Sequence, residues 1–154
     1  YNATISACEK GQQWAPSLQL LGELRQHGLQ PNSITFNAAI SACEKGQQWA
    51  QSLHLLAGMQ LEGISADTIG YSGLISACEK ADKWQHALLA FLGMRQQELQ
   101  PDVVAYSALG SAYSKGRMWA RALYILVEMR QGKLQTDVIM YNTLINGLGT
   151  AQQW

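Results

Sequence analysis

The sequence has no long apolar run, no net charge and no strand pattern. No stretch approaches the roughly 18 apolar residues that a membrane-spanning helix needs, so no membrane insertion is expected. Lys and Arg together number 11, and so do Asp and Glu, which leaves a net charge of zero. That balance argues against a strongly basic nucleic-acid binder, but a local basic stripe needs no net charge. No linker or low-complexity segment interrupts the chain. It has no nucleotide-binding glycine loop, no paired carboxylates and no nucleophile set beside a base, so it reads as no enzyme, and no cofactor is implied. A catalytic domain, if there is one, lies outside this sequence. There is no signal or transit segment either. The chain opens at Tyr1 and closes at Trp154, each in the middle of a repeated unit, and so reads as a window of a longer array.

What is present is a period. Tyr1, Phe36, Tyr71, Tyr106 and Tyr141 lie 35 residues apart, and so do Trp14, Trp49, Trp84, Trp119 and Trp154. The block ISACEKGQQWA stands at Ile5–Ala15 and again at Ile40–Ala50. A repeat of this length is too small to bury a core alone, so neighbouring units must stack. The spacing divides the chain into a single array of units at 1–32, 33–67, 68–102, 103–137 and 138–154, the first and last incomplete.

Each unit holds two amphipathic segments. In the second unit the first segment runs from about Thr35 to Lys45. Phe36, Ala39, Ile40 and Cys43 fall on one helical face, and Gly46 is expected to break the helix. The second segment runs from about Gln48 to Leu61, with Trp49, Leu53, Leu56 and Met59 or Gln60 on its apolar side. Gly28 and Gly63 follow second segments where a left-handed helix end favours glycine. Glu98 and Lys133 hold that place later, which predicts a different closure there. Pro31-Asn32, Ala66-Asp67, Pro101-Asp102 and Thr136-Asp137 precede first segments and suit helix starts. The expected fold is all-α: a right-handed α-α superhelix of helix–turn–helix repeats. First helices line one face and second helices the other.

Thirty-five residues with an aromatic-Asn start, as in Tyr141-Asn142-Thr143-Leu144-Ile145-Asn146-Gly147-Leu148, resemble the pentatricopeptide repeat. The second-segment endings Glu128-Met129-Arg130 and Gly93-Met94-Arg95 and the closing Leu99-Gln100-Pro101-Asp102 resemble it too. The tryptophan that opens each second segment departs from the family, where a smaller aliphatic is usual. The resemblance implies an organellar protein, in plastid or mitochondrion, that binds single-stranded RNA at one base per repeat. Its expected role lies in RNA processing, stability or translation.

The resemblance assigns three positions per repeat. The residue after the aromatic is Asn2, Asn37, Ser72, Ser107 or Asn142. The last residue of the repeat is Asn32, Asp67, Asp102 or Asp137. All are short and polar, able to meet a base edge. By the family's pairing, Asn2 with Asn32 favours cytosine or uracil, and Asn37 with Asp67 favours uracil. Ser72 with Asp102, and Ser107 with Asp137, favour guanine. Asn142 suggests a pyrimidine. The expected read is 5′-C/U-U-G-G-pyrimidine-3′. For Asn32 and the aspartates, helix capping is the plainer role, and both can hold at once. Two residues before the aromatic stand Ile34, Ile69, Val104 and Ile139, β-branched and stiff. These would wedge between bases.

Lys10, Lys45, Lys80 and Lys115 also recur at 35, near the ends of first helices. Regular cations suit a phosphate backbone, and the family uses the place so. A lysine there also favours the helix dipole. Glu9, Glu44 and Glu79 stand next door, but adjacent helix residues point apart. Thr150 breaks the series.

Cys8, Cys43 and Cys78 look like chemistry and read as core. Packed helices sit about 8–10 Å apart, beyond the roughly 7 Å a disulfide spans and the ~2.3 Å zinc–sulfur bond. No metal site is expected. The tryptophans read as inter-helix packing away from the RNA face, and His27, His54 and His86 as surface. The competing function is a protein scaffold, or a structural subunit of a large organellar complex, with protein subunits as partners. An RNA reader should leave Asn37, Ser72, Ser107 and the lysines open to solvent; a scaffold would bury them or work through its second helices.

Overall fold

The computed structural model describes residues 2–132, together with Leu134, Val138, Tyr141, Asn142 and Ile145. Over them run α1 (Asn2–Lys10), α2 (Trp14–Gln26), α3 (Ser33–Lys45), α4 (Trp49–Leu61), α5 (Thr68–Lys80), α6 (Trp84–Gln96), α7 (Val103–Lys115) and α8 (Trp119–Gln131). Among the described residues there is no strand.

The first helices start where short polar side chains stop the backbone from running on. Asn32, Asp67 and Asp102 adopt extended geometry as N-caps. Their side chains accept from the Thr35, Gly70 and Ala105 N–H groups at 3.0, 2.9 and 2.8 Å. Each such cap stabilises by about 1 kcal/mol. Thr35 returns the bond to the Asn32 N–H, completing a reciprocal box.

The turn inside each hairpin works differently from the expectation. Gly46 and Gly116 have φ of −82° and −75°, open to any residue. The left-handed residues are their successors, Gln47 and Arg117, with φ of 56° and 58°. Gln12 and Asp82 share that geometry. The turn closes through the Gln48, Lys83 and Met118 N–H groups, which donate to the Cys43, Cys78 and Tyr113 carbonyls at 2.8 Å. The glycine is needed for space. A Cβ on Gly116 would lie 2.6 Å from Trp84 Cδ1, and one on Gly46 would collide with Trp14. Each of these tryptophans thus packs its ring on the turn of the next hairpin. Ala81 holds the corresponding place in the third hairpin, and the Trp49 ring lies 4.5 Å from that of His86.

Between hairpins, Gly28 and Gly63 take the expected positive φ, 69° and 73°. Glu98 was expected to close its turn another way. It adopts φ 58° instead, and the Leu99 N–H donates to the Met94 carbonyl, as Ile64 does to Met59. A side chain in that region costs roughly 1–2 kcal/mol, which the backbone bond offsets in part.

Packing follows the period. Phe36, Ala39, Ile40 and Cys43 are buried as expected, and Tyr71, Leu74, Ile75 and Cys78 repeat them. Met59, Met94 and Met129 meet this layer from the second helices, each wholly buried. The apolar face of α4 is turned from its expected phase. Ser52, Leu55, Leu56 and Met59 are buried, whereas Leu53 is 43% exposed. Ser52 is buried with its hydroxyl donating to the Gln48 carbonyl at 3.3 Å. Gln60 faces solvent but donates to the Tyr71 hydroxyl at 3.2 Å. Cys43 and Cys78 sit in the core, and burial pushes each thiol up to about 11. His86 is not simply surface, since its Nδ1 is buried beside Trp49.

The first helices α1, α3, α5 and α7 pack on one another in a continuous row. Second helices pack on the first helices of their own and the following hairpin. Among the described residues no two second helices meet backbone to backbone. Long side chains bridge them instead, Arg25 to Glu62 and Arg95 to Glu128. The result is a helical-repeat solenoid with a closed inner row and a splayed outer row. No helix among the described residues is long and apolar enough to cross a membrane.

Candidate nucleic-acid interface

The inner row brings together those sequence-selected residues that line its cleft, Asn37, Ile69, Ser72, Asp102 and Val104. Ile34, Ile69 and Val104 stand at the second residue of each cap-led helix start, 62%, 65% and 55% exposed. Apolar side chains are costly to hold in water, and here they recur once per hairpin. Between Ile69 and Val104 opens a cleft of about 260 Å³. Asn37, Ser41, Glu44, Ser72 and Asp102 also line it. The cleft is therefore walled by aliphatic groups and set with polar ones.

The polar positions meet in pairs across successive hairpins. Asn37 Nδ2 donates to both Asp67 carboxylate oxygens, at 3.0 and 2.9 Å. Ser72 Oγ donates to Asp102 Oδ1 at 2.9 Å. The same aspartates cap α5 and α7, so capping and pairing are done by one side chain. This fixes the carboxylates in place while leaving part of their acceptor capacity, about four lone-pair sites, unused. Asn37 Oδ1 is turned inward with no partner, against Gly70, where a Cβ would approach it to 3.0 Å.

The test of openness gives a mixed answer. Lys10, Lys45, Lys80 and Lys115 are exposed, and Asn37 and Ser107 are half-buried. Ser72, expected open, is only 4% exposed. Its side chain is short, and Asp102 holds it down at the floor of the cleft. Asn32 is exposed and Asn142 likewise. The side chain of Asn2, and Asp137, Ile139, Lys133 and Thr150, lie outside the described residues.

Lys45, Lys80 and Lys115 have partners that adjacency in sequence hides. Each glutamate before a lysine turns from it and reaches the lysine of the next hairpin. Lys45 Nζ lies 3.1 Å from Glu9, Lys80 Nζ 2.8 Å from Glu44, and Lys115 Nζ 2.9 Å from Glu79. The Ser41, Ser76 and Ser111 hydroxyls donate to the same carboxylates at 3.0, 2.8 and 2.8 Å. Lys115 also lies 3.3 Å from Asp82. Burial works to lower the Lys115 pKa, but Glu79 and Asp82, by hydrogen bonds and charge, outweigh it and raise it above the ordinary lysine value. Sequence reasoning missed this ladder. The signal was there, since Ser41, Ser76 and Ser111 recur at 35 beside the glutamates.

Among the described residues no group of three His, Cys, Asp or Glu side chains is placed to hold a metal ion.

Comparison with known proteins gives this architecture a context. The family model described as "Pentatricopeptide repeat domain" matches residues 1–45, 54–116 and 93–151. No curated protein matches the chain by sequence. Among solved structures, pentatricopeptide repeat protein PPR10 in complex with an 18-nt psaJ RNA element is similar, with 27% identity and a TM-score of 0.83. That match covers 98% of this chain and 22% of PPR10. PPR10 from maize is similar at 25% identity and a TM-score of 0.76, covering 99% of this chain and 22% of that one. The PPR domain of Arabidopsis thaliana protein-only RNase P 1, in complex with tRNA, shares the fold at 13% identity and a TM-score of 0.83. There the match covers 97% of this chain and 79% of that one. The chain spans about a fifth of the length of PPR10.

Proposed function

The chain belongs to the pentatricopeptide repeat family, and from that footing we propose that its inner row binds single-stranded RNA at one nucleotide per repeat. The observation that carries this reading is the cleft between Ile69 and Val104, with Ser72 and Asp102 on its floor. A base between two aliphatic walls gains stacking area from side chains that lose little entropy on being fixed. Its edge then meets a carboxylate already oriented by the helix it caps. Guanine presents N–H donors on that edge, which suits Asp102 beside Ser72. Uracil presents one donor and two acceptors, which suits the Asn37 amide beside Asp67. With Asn2 and Asn32 for cytosine or uracil, Ser107 and Asp137 for guanine, and Asn142 for a pyrimidine, the read is 5′-C/U-U-G-G-pyrimidine-3′. The wedges are Ile34, Ile69, Val104 and Ile139. Lys10, Lys45, Lys80 and Lys115 lie along the phosphate path. The binding serves RNA processing, stability or translation in a plastid or mitochondrion. PPR10 bound to its psaJ element supports the ligand class.

The scaffold reading keeps one observation of its own. The outer row exposes Leu89 and Tyr124 at 64% and 63%, and Val127 at 51%. A protein partner would use that side.

Fluorescence anisotropy separates the two. The chain is titrated into labelled CUGGU and its complement ACCAG across a salt series. Preference for CUGGU is expected. Failure to bind either RNA at low salt would remove the RNA reading and leave the scaffold.

A further inference from the structure

The glutamates of the ladder lie outside the positions assigned to base reading, yet one of them borders the cleft. Glu44 lines the same cleft as Ser72 and Asp102, between the Ile69 and Val104 walls. Its carboxylate is held from the far side by Ser76 Oγ and Lys80 Nζ, both at 2.8 Å. Glu9 and Glu79 repeat the arrangement one hairpin before and one after. The lysine side chains stay 35–44% exposed, against 16–28% for the glutamates. The cations therefore remain in reach of a strand, but each brings a fixed anion with it.

We infer that Glu9, Glu44 and Glu79 set the affinity of the array by partly neutralising the lysines on the phosphate path. The inference deepens the RNA reading above and rests on it. Lys80 Nζ lies 2.8 Å from Glu44, so a phosphate drawn to the one is also repelled by the other. The ammonium has three donors and can serve both, but the field it offers is that of a pair. Phosphate contact is blind to sequence. Damping it lowers binding to every RNA alike and leaves the share of binding that depends on bases larger. The serines make the device permanent, because a carboxylate held by a hydroxyl and an ammonium does not swing aside freely. The glutamates act through the lysines and are positioning residues.

The test replaces all three by glutamine, Glu9→Gln, Glu44→Gln and Glu79→Gln. Glutamine keeps an oxygen for each serine hydroxyl and removes only the charge. Anisotropy on labelled CUGGU and ACCAG is followed over a salt series, with circular dichroism melting to check the fold. The triple variant is expected to bind both RNAs about tenfold more tightly at low salt. Its log K against log salt should steepen, by at most about 2, since a full single-strand contact adds ~0.7 and three are partly masked. The ratio between the two RNAs should not change. A charge-keeping set, Glu9→Asp, Glu44→Asp and Glu79→Asp, should keep the shallow slope. If the original chain binds and the glutamine variant binds no more tightly, with the same slope, the masking role is wrong and the ladder only fastens hairpins. If neither binds any RNA, the RNA reading itself falls and the masking role with it.

Discussion

The inner and outer rows carry the same 35-residue period and are held in different ways. Inner helices touch one another and are laced by serine, glutamate and lysine at every step. Outer helices stand apart, bridged by Arg25–Glu62 and Arg95–Glu128 over apolar grooves. One such groove, between α6 and α8, has a volume of about 370 Å³ and is lined by Leu92, Tyr124 and Ile125 among others. The contrast teaches where a repeat array fixes its geometry. Base reading needs side chains at a constant spacing, and spacing is set by the row that packs. Among the described residues the outer helices meet one another only through long side chains and are otherwise seated on the inner row.

The contrast can be broken first at the core. Met94→Ala, wholly buried where the rows meet, should cost about 2–5 kcal/mol in thermal or urea unfolding. Leu89→Ala, 64% exposed on the outer row, should stay within about 0.5 kcal/mol. Equal losses would mean that the solvent face of α6 is packed as its buried face is.

The next effect is steric. Gly116→Ala puts a Cβ against Trp84 and should cost about 1–3 kcal/mol. Since φ there is −75°, backbone strain adds nothing. The loss should shrink in a double variant with Trp84→Leu, measured as a coupling energy in denaturant unfolding. Asp102→Ala comes third. It removes the α7 cap and the acceptor of Ser72, and about 1 kcal/mol of stability should go.

The smallest effect concerns the thiols. Burial raises Cys43 and Cys78 from 9.0 to about 11, so both stay protonated in the folded chain at neutral pH. A neutral form favoured by folding contributes stability that is whole below pH 9 and is lost as pH rises through about 11. Thiol labelling of the native chain near pH 8 should therefore reach half-buried Cys8 first, and the other two only after denaturant is added. Early labelling of Cys43 would show a looser inner row.

The fold was readable because each hairpin repeats its caps, aromatics and tryptophans in register. Asn32, Asp67 and Asp102 announced helix starts, and Phe36 through Cys43 a buried face. What escaped was whatever depends on the neighbouring repeat. Glu44 was weighed against Lys45, its neighbour in sequence, while its partner Lys80 lies 36 residues on. Gly46 does follow the last residue of α3, but its need for space escaped because the Trp14 neighbour comes from the previous unit. The α4 face was set one residue off because Ser52, polar in sequence, is a core residue. The burial of Ser72 escaped for the same reason, since Asp102 belongs to the following hairpin start.

The most direct test of base reading by the inner row is to recode one cleft. Asn37 is seated against Gly70, and Ala105 holds the corresponding place for Ser72, 35 residues on. Ser72→Asn combined with Ala105→Gly should therefore rebuild the Asn37–Asp67 pair at Asp102, one hairpin on. Anisotropy would compare CUGGU with CUUGU on the original and recoded chains. A switch of preference from CUGGU to CUUGU is the expected result. The same preference in both chains, or none in either, would contradict base reading by these residues.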